Sequence, residues 1–348
     1  MRIQEDEKLD FDDVLVRPQR SSAASRKEVD VSRTFKLKNS GRDWSGIPVL
    51  AANMSTVGTL AMADAFSKHD MSVCLHKHYS KKELIAFLKK EENISQKHIF
   101  YTLGTGLKDR EKLNQVSNQI PIRNICIDVA NGYTDYFVDR VAETRQQFPD
   151  AIIMAGNVCT PDMVQELLLH GGADIVKIGI GPGSVCSTRL VAGIGYPQLS
   201  AIIECSDAAH GLNGHICADG GCKVPADIVK AFGAGADFVM LGGLLSGHDE
   251  CEGDWTYESE LGGYKGKKKK SLKFYGMSSS EAMNRYNGGV ANYRASEGET
   301  IETPYRGPVE GTIYQMLGGL RSACAYVGAK RLKDLSKRTT FIKVNRVK

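Results

Sequence analysis

The sequence predicts a single α/β domain folded as a (β/α)8 barrel, with a long insertion after the eighth strand. Three observations carry the prediction. Short apolar runs recur, most starting about 25 residues after the last, a period that fits a βα unit. Helical patterns lie between them. The runs are rich in Ile, Val, Ala and Cys without clear polar alternation, as strands are when both sheet faces are covered.

The apolar runs fall at 47–54, 72–76, 98–104, 123–130, 151–158, 175–181, 215–221 and 238–243. The spacing predicts helices over 59–68, 81–91, 110–119, 133–148, 161–170, 198–209 and 224–232. Within 162–170, Met163, Leu167 and Leu168 recur at helical spacing. Pro161 and Pro225 stand near helix starts, where a missing N–H costs little. Gly171-Gly172-Ala173 and Ala234-Gly235-Ala236 close helices before the next strand. A doubly wound sheet is the rival architecture, but it needs a crevice and usually has fewer units.

Two segments break the period. Residues 1–46 form an N-terminal arm carrying Arg17, Arg20, Arg26 and Arg33. Residues 244–310 form an insertion far longer than an ordinary βα loop. Within it, 255–258 and 271–275 read as a hairpin, tipped by Gly262, Gly263 and the lysine run 267–270. An insertion of this kind at the C-terminal side of a barrel reads as an active-site flap.

Composition bounds the function. The chain has 348 residues, 42% hydrophobic and 25% charged, values ordinary for a soluble globular protein, and the length allows one large α/β domain or two smaller ones. The net charge of +4 equals the charge of the run Lys267–Lys270 alone, so no global basic field argues for nucleic acid. Local positive sites remain for a phosphorylated small molecule. The nine cysteines include no Cys-x-x-Cys pair, and Cys74, Cys126 and Cys217 lie in apolar runs as small core residues. The N-terminus is polar and acidic, and no apolar run approaches the roughly 20 residues of a membrane span. The expectation is a reduced, cytoplasmic protein with no membrane partner.

Chemistry-bearing residues gather where strands end, the side of such a barrel that holds active sites. Gly179-Ile180-Gly181-Pro182-Gly183-Ser184-Val185-Cys186-Ser187-Thr188-Arg189 puts one thiol in a glycine-rich loop. Its backbone N–H groups can crowd around a ligand, and Cys186 reads as a nucleophile with Thr188 beside it to handle a proton. The plain alternative is a buried cysteine at a tight turn. Asp219-Gly220-Gly221 and Gly242-Gly243 follow runs seven and eight, where such barrels commonly bind phosphate. Asp219 itself suits a ribose hydroxyl better. In the insertion, Tyr293-Arg294-Ala295-Ser296-Glu297-Gly298 supplies a carboxylate, or is simply a surface loop. A thiol, a hydroxyl and a carboxylate together suit covalent attack on an electrophilic ring carbon, with proton transfers through Thr188 and Glu297.

The stretch from Gly181 to Cys186, Asp219-Gly220-Gly221, Tyr275-Gly276-Met277-Ser278 and the stretch from Tyr293 to Gly298 together resemble the IMP dehydrogenase/GMP reductase family, on its reductase side. The resemblance runs from Phe11-Asp12-Asp13-Val14-Leu15 to Gly318-Gly319-Leu320-Arg321-Ser322. It implies NADPH-dependent reductive deamination of GMP to IMP and ammonia. Cys186 would attack C2 of the purine to form a thioimidate, while Thr188 and Glu297 escort the ammonia. Substrate would meet Asp219, Gly220, Gly221, Gly242, Gly243, Gly276, Met277 and Ser278, with Arg294, Ala295, Ser296 and Gly298 closing over the base. The cofactor would lie near Lys77, Asp128, Val129, Ala130, Ile180, Gly181, Met277, Tyr293 and Arg294. Ser25, Arg26, Ser322, Ala323, Cys324 and Ala325 would serve it across a subunit boundary of a homotetramer. Gly181, Gly183, Cys186 and Arg189 match the family's K⁺ site.

Three positions depart from the family pattern. Ser187 stands where Thr is usual, Ser55 where Asp is usual, and Arg285-Tyr286 lies near where the dehydrogenase carries its water-activating pair. The dehydrogenase usually carries a regulatory domain between the second and third barrel units, for which one helix between His76 and His98 leaves no room. A nucleotide-binding barrel without chemistry is the remaining alternative, and it has no use for Cys186.

Overall fold

The computed structural model describes residues 1–21, 25–90, 95–258 and 268–345. Eight parallel strands close into a barrel: β1 (Val49–Ala51), β2 (Ser72–Leu75), β3 (Ile99–Leu103), β4 (Asn124–Asp128), β5 (Ile152–Val158), β6 (Ile175–Ile178), β7 (His215–Asp219) and β8 (Phe238–Leu241). Closure comes from β8 pairing with β1, with Val239 opposite Val49 and Leu241 opposite Ala51. The strands are shorter than the apolar runs, because the polar and glycine residues at the run ends turn out of the sheet into loops. Alternation explains the unbroken apolar runs. Leu50, Cys74, Phe100, Cys126, Met154, Ile175 and Cys217 fill the barrel interior. Their neighbours Val49, Val73, Ile125, Ile153, Val176 and Ile216 pack outward under the helices. Both faces of each strand are therefore covered, and most strand positions are apolar.

The helices are α1 (Leu60–Ser67), α2 (Lys81–Lys90), α3 (Leu107–Ser117), α4 (Asp135–Gln147), α5 (Pro161–Leu169), α6 (Gln198–Gly211), α7 (Pro225–Gly233) and α8 (Glu310–Val327). The Thr59 hydroxyl caps α1 by accepting from the Met62 N–H, a cap worth about 1 kcal/mol. The last helix, beyond the seven read from spacing, buries Ile313, Met316, Leu317, Leu320, Cys324 and Val327. No described helix is long and apolar enough to cross a membrane.

The two irregular segments have structure of their own. Arg33–Lys36 and Asp43–Gly46 pair antiparallel beneath the barrel. Phe35, Leu37 and Trp44 from this hairpin join the interior cluster. The rings of Phe35 and Trp44 each lie 4.8 Å from Phe238 at the start of β8, sealing the N-terminal end. After β8, Trp255–Tyr257, Lys269–Tyr275 and Thr300–Pro304 form a three-stranded antiparallel sheet, with a helix at Ser280–Asn287. The third strand was absent from the sequence reading. Gly262, Gly263 and Lys267 lie outside the described residues.

Candidate active site

At the C-terminal end of the barrel, three separate segments zip together. The Ser187 N–H donates to the Glu297 carbonyl at 3.1 Å, and the Glu299 N–H to the Val185 carbonyl at 2.9 Å. The Glu297 N–H donates to the Ser278 carbonyl at 3.0 Å, and Gly276 N–H to Glu299 carbonyl at 3.0 Å. The approach is too close for side chains. A Cβ on Gly276 would stand 2.6 Å from the Val185 carbonyl oxygen, and one on Gly298 would stand 2.8 Å from the Ser279 nitrogen. Glycine at both positions is a steric requirement.

This zipper aligns a relay. The Cys186 thiol donates to Thr188 Oγ1 at 3.3 Å, and the Thr188 hydroxyl donates to Glu297 Oε2 at 2.8 Å. The donor order runs from sulfur to carboxylate, so a proton leaving sulfur has a continuous path to Glu297. Cys186 is partly exposed, whereas Cys74, Cys126 and Cys217 are fully buried. Burial pushes the Cys74 and Cys217 thiols well above the usual range, which keeps them unreactive.

Beneath the loop lies a buried charge cluster. Lys177 on β6 points into the barrel interior and is fully buried. Its ammonium donates to Asp128 Oδ2 and forms an ion pair with Asp219 Oδ2 at 3.2 Å. Burial opposes its charge, but Asp128 and Asp219 overcome that opposition and raise its pKa. Asn157 Nδ2 donates to Asp219 Oδ2 at 2.9 Å and to the Gly179 carbonyl at 2.8 Å, tying β5, β6 and β7 together at their ends. Sequence reading passed over Lys177. Its one signal was a charged residue in the apolar stretch Ile175-Val176-Lys177-Ile178.

A pocket of about 450 Å³ opens over this floor. It is lined by Cys186, Thr188 and Glu297, by Asp219, Gly220, Gly221, Gly242 and Gly243, and by Gly276, Met277 and Ser278. Asp128, Val129, Ala130, Ile180, Gly181 and Gly183 line it too. The remaining sequence-predicted residues stand elsewhere. Lys77 donates to Asp109 Oδ2 at 3.3 Å. Arg189 turns to Asp10 and to the Tyr196 carbonyl, at 2.8 and 2.6 Å. Tyr293 is 92% exposed, and Arg294 and Ala295 are exposed beside it. The Ser296 hydroxyl accepts from the Ser280 N–H at 2.9 Å and donates to the Gly298 carbonyl at 3.2 Å. Ser25 caps the turn Arg26–Glu28, which packs on α8, the helix that carries Ser322, Ala323, Cys324 and Ala325. None of these six lines the pocket, and Cys324 is wholly buried.

Arg285 and Tyr286 are engaged outside the pocket. Arg285 Nη1 donates to Asp254 Oδ2 at 3.1 Å. The Tyr286 ring stacks on His78 with centroids 3.5 Å apart, and its hydroxyl lies 3.5 Å from that of Tyr275. The Ser55 hydroxyl donates to Tyr275 at 3.0 Å. Burial pushes the His78 pKa down to about 4, so the stacked imidazole is neutral at physiological pH. The pair therefore fastens the helix of the insertion to the loop after β2.

Comparison with known proteins agrees with this architecture. An IMP dehydrogenase / GMP reductase domain matches residues 8–347. A protein from Phytophthora infestans named GMP reductase is 56% identical over 345 residues, covering 99% of this chain and 92% of its own. One of the same name from Enterobacter sp. (strain 638) is also 56% identical over 345 residues, covering 99% and 97%. One from Serratia proteamaculans (strain 568) is 55% identical with the same coverage. Matched over nearly its whole length and at this identity, the chain belongs to the IMP dehydrogenase/GMP reductase family.

Proposed function

We propose that the protein converts GMP to IMP and ammonia with NADPH, through a covalent intermediate on Cys186. The observation that carries this reading is the thiol–hydroxyl–carboxylate relay of Cys186, Thr188 and Glu297 at the mouth of a phosphate-type barrel pocket. Cys186 gives up its proton through Thr188 towards Glu297 and its sulfur bonds to C2 of the guanine ring. An amine leaves poorly unless protonated, so the same relay returns a proton to the C2 amino group, which departs as ammonia. The C2–sulfur thioimidate remains. Bound NADPH supplies the hydride that reaches C2, after which the C2–sulfur bond breaks and the thiolate leaves. The overall reaction consumes GMP, NADPH and two protons, and yields IMP, NADP⁺ and ammonium.

The chain's own residues hold the partners in place. Backbone N–H groups of Gly220, Gly221, Gly242 and Gly243 suit the 5′-phosphate, and Asp219 suits the ribose. Asp128, Val129, Ala130, Ile180, Gly181 and Met277 fit the nicotinamide end of the cofactor, since they line the same pocket around the relay. Arg26 and the segment 322–325 lie outside that pocket. They suit the distant end of a cofactor bound to a neighbouring copy, as a homotetramer would allow, with an arginine for the extra phosphate of NADPH. Carbonyls of Gly181, Gly183, Cys186 and Arg189 suit K⁺. The Cys186 N–H donates to the Gly183 carbonyl at 3.1 Å, which supports that reading by bending the loop into a tight ring. A reduced, cytoplasmic setting accords with nine free cysteines.

The test is the near-ultraviolet absorbance of NADPH. Its loss on adding GMP, with ammonia released in equal amount, is the expected result. Appearance of NADH from IMP and NAD⁺ would make the protein a dehydrogenase and sink the proposal. Absence of change with either pair would leave a binding protein.

A further inference from the structure

The pocket contains a cation that the proposed chemistry leaves without a task. Three cationic side chains stand at the pocket or its floor. Lys177 is held by Asp128 and Asp219. Lys223 donates to Asp12 at 3.2 Å. Arg306 makes no ion pair among the described residues; its Nη1 donates to the Leu244 carbonyl at 3.1 Å. Leu244 follows Gly243, and Arg306 lines the pocket together with Gly242, Gly243 and Leu244. The arginine is thus fastened about one peptide from the glycine cradle. The Arg306 N–H donates to the Gly247 carbonyl at 2.9 Å, so the backbone is fixed as well.

Charge makes that placement consequential. Glu302 lines the same pocket, accepting from the Ser271 hydroxyl at 2.8 Å, and Asp219 is also there. Backbone N–H groups supply only partial charge against a phosphate dianion beside these carboxylates. A guanidinium has five donors, and Arg306 spends one on Leu244. We propose that Arg306 is a specificity-determining residue that binds the 5′-phosphate and selects nucleotide over nucleoside. The inference rests on the reading of the pocket as a GMP site. Arg306 lies two residues after the strand Thr300–Pro304. Phosphate bound by Arg306 also anchors the end of the insertion that brings Glu297 to Thr188.

The experiment is calorimetric titration of GMP and of guanosine into the wild-type protein, Arg306→Gln and Arg306→Lys. Loss of a charge-assisted bond weakens GMP binding to Arg306→Gln about 10- to 100-fold, while guanosine binding stays at its wild-type value. Arg306→Lys recovers part of the loss, since it restores charge without the fork. Equal GMP affinity in Arg306→Gln and wild type, with GMP bound well by both, overturns the role of Arg306 alone. An equal loss of GMP and guanosine binding overturns it too, since the arginine would then only shape the pocket. Wild-type protein that binds neither GMP nor guanosine overturns the GMP reading and this inference with it.

Discussion

The two ends of the barrel handle buried charge in opposite ways. At the N-terminal end, Asp237 is buried just before Phe238, the residue on which the rings of Phe35 and Trp44 pack. It is met by His210 at 2.8 Å, His215 at 3.5 Å and Arg33 at 3.8 Å. At the C-terminal end, Lys177 is met by Asp128 and Asp219, and the cluster opens directly to a pocket of about 450 Å³. One end spends its charges on closing the fold. The other holds carboxylates at fixed positions with oxygens facing a ligand space. The difference lies in what covers each cluster, bulky rings at one end and glycine-rich loops at the other.

Substitution at the open end has the largest expected effect. Cys186→Ala removes the sulfur that bonds to C2, and turnover falls by about 10⁴-fold or more. Titration with GMP should still show near-normal affinity, because the phosphate and ribose contacts lie elsewhere. A variant turning over at near the wild-type rate removes Cys186 as the nucleophile and leaves the two ends without their functional contrast.

Lys177→Met tests the floor of the open end. It takes away the buried ammonium and leaves Asp128 and Asp219, each partly exposed to the pocket, without their shared counter-ion. Breaking a buried pair of this kind costs about 3–5 kcal/mol. Urea denaturation measures the loss. Stability close to wild type would mean that solvent from the pocket already screens the carboxylates, and the cluster would then belong to the pocket rather than to the core.

Glu297→Gln sharpens the assignment of the relay. The amide still accepts from the Thr188 hydroxyl but is a poor proton acceptor. Loss of one acid–base group slows turnover about 10²-fold. Rapid-mixing measurements should show release of ammonia slowed more than oxidation of NADPH in the hydride step. Equal slowing of both steps would mean that Glu297 only holds the insertion against the Cys186 loop.

Legibility in the sequence follows the same divide. The strands could be read because both of their faces are buried, so Ile152 to Val158 or Ile175 to Ile178 needed no knowledge of neighbours. The Cys186 loop and the Asp219-Gly220-Gly221 turn could be read because glycine and a lone thiol at a strand end have few other uses. What escaped depends on distant partners. Phe35 and Trp44 look like ordinary aromatics in an arm until Phe238 stands opposite them. Thr300–Pro304 is mostly exposed and short, and only its pairing with Lys269–Tyr275 makes it a strand. Lys177 reads as an interruption of a strand until Asp128 and Asp219 supply its partners. By resemblance, Arg294 closes over the base and Tyr293, with Arg294, lies near the cofactor. Both side chains are exposed here, away from the pocket lining.

The smallest expected effect lies at the closed end and concerns stability alone. A hydrogen bond to Asp237 is the main cause that raises the His210 pKa above its ordinary value. A histidine with a raised pKa in the folded state contributes stability that is fully present below about pH 6.5 and is lost as pH rises through the folded value. Asp237 runs the other way. Burial raises its pKa, but the bonds from His210 and His215 bring it down to about 2. Its contribution is present above the ordinary aspartate range and is lost as pH falls from about 4 towards 2. Stability should therefore be greatest between these windows and decline on the alkaline side through His210. His210 has 46% of its side-chain surface exposed, so solvent screening holds its share to about 0.5 kcal/mol. His210→Gln keeps a hydrogen-bond donor near Asp237 and removes the titration. Melting temperatures measured from pH 6 to pH 8 should fall less steeply in the variant, while the pH profile of kcat/KM, set by the relay at the opposite end, stays the same. An unchanged slope of stability would place the alkaline loss in another group. A shifted kcat/KM profile would show that the two ends of the barrel are electrostatically coupled across the interior that Leu50, Phe100 and Met154 fill.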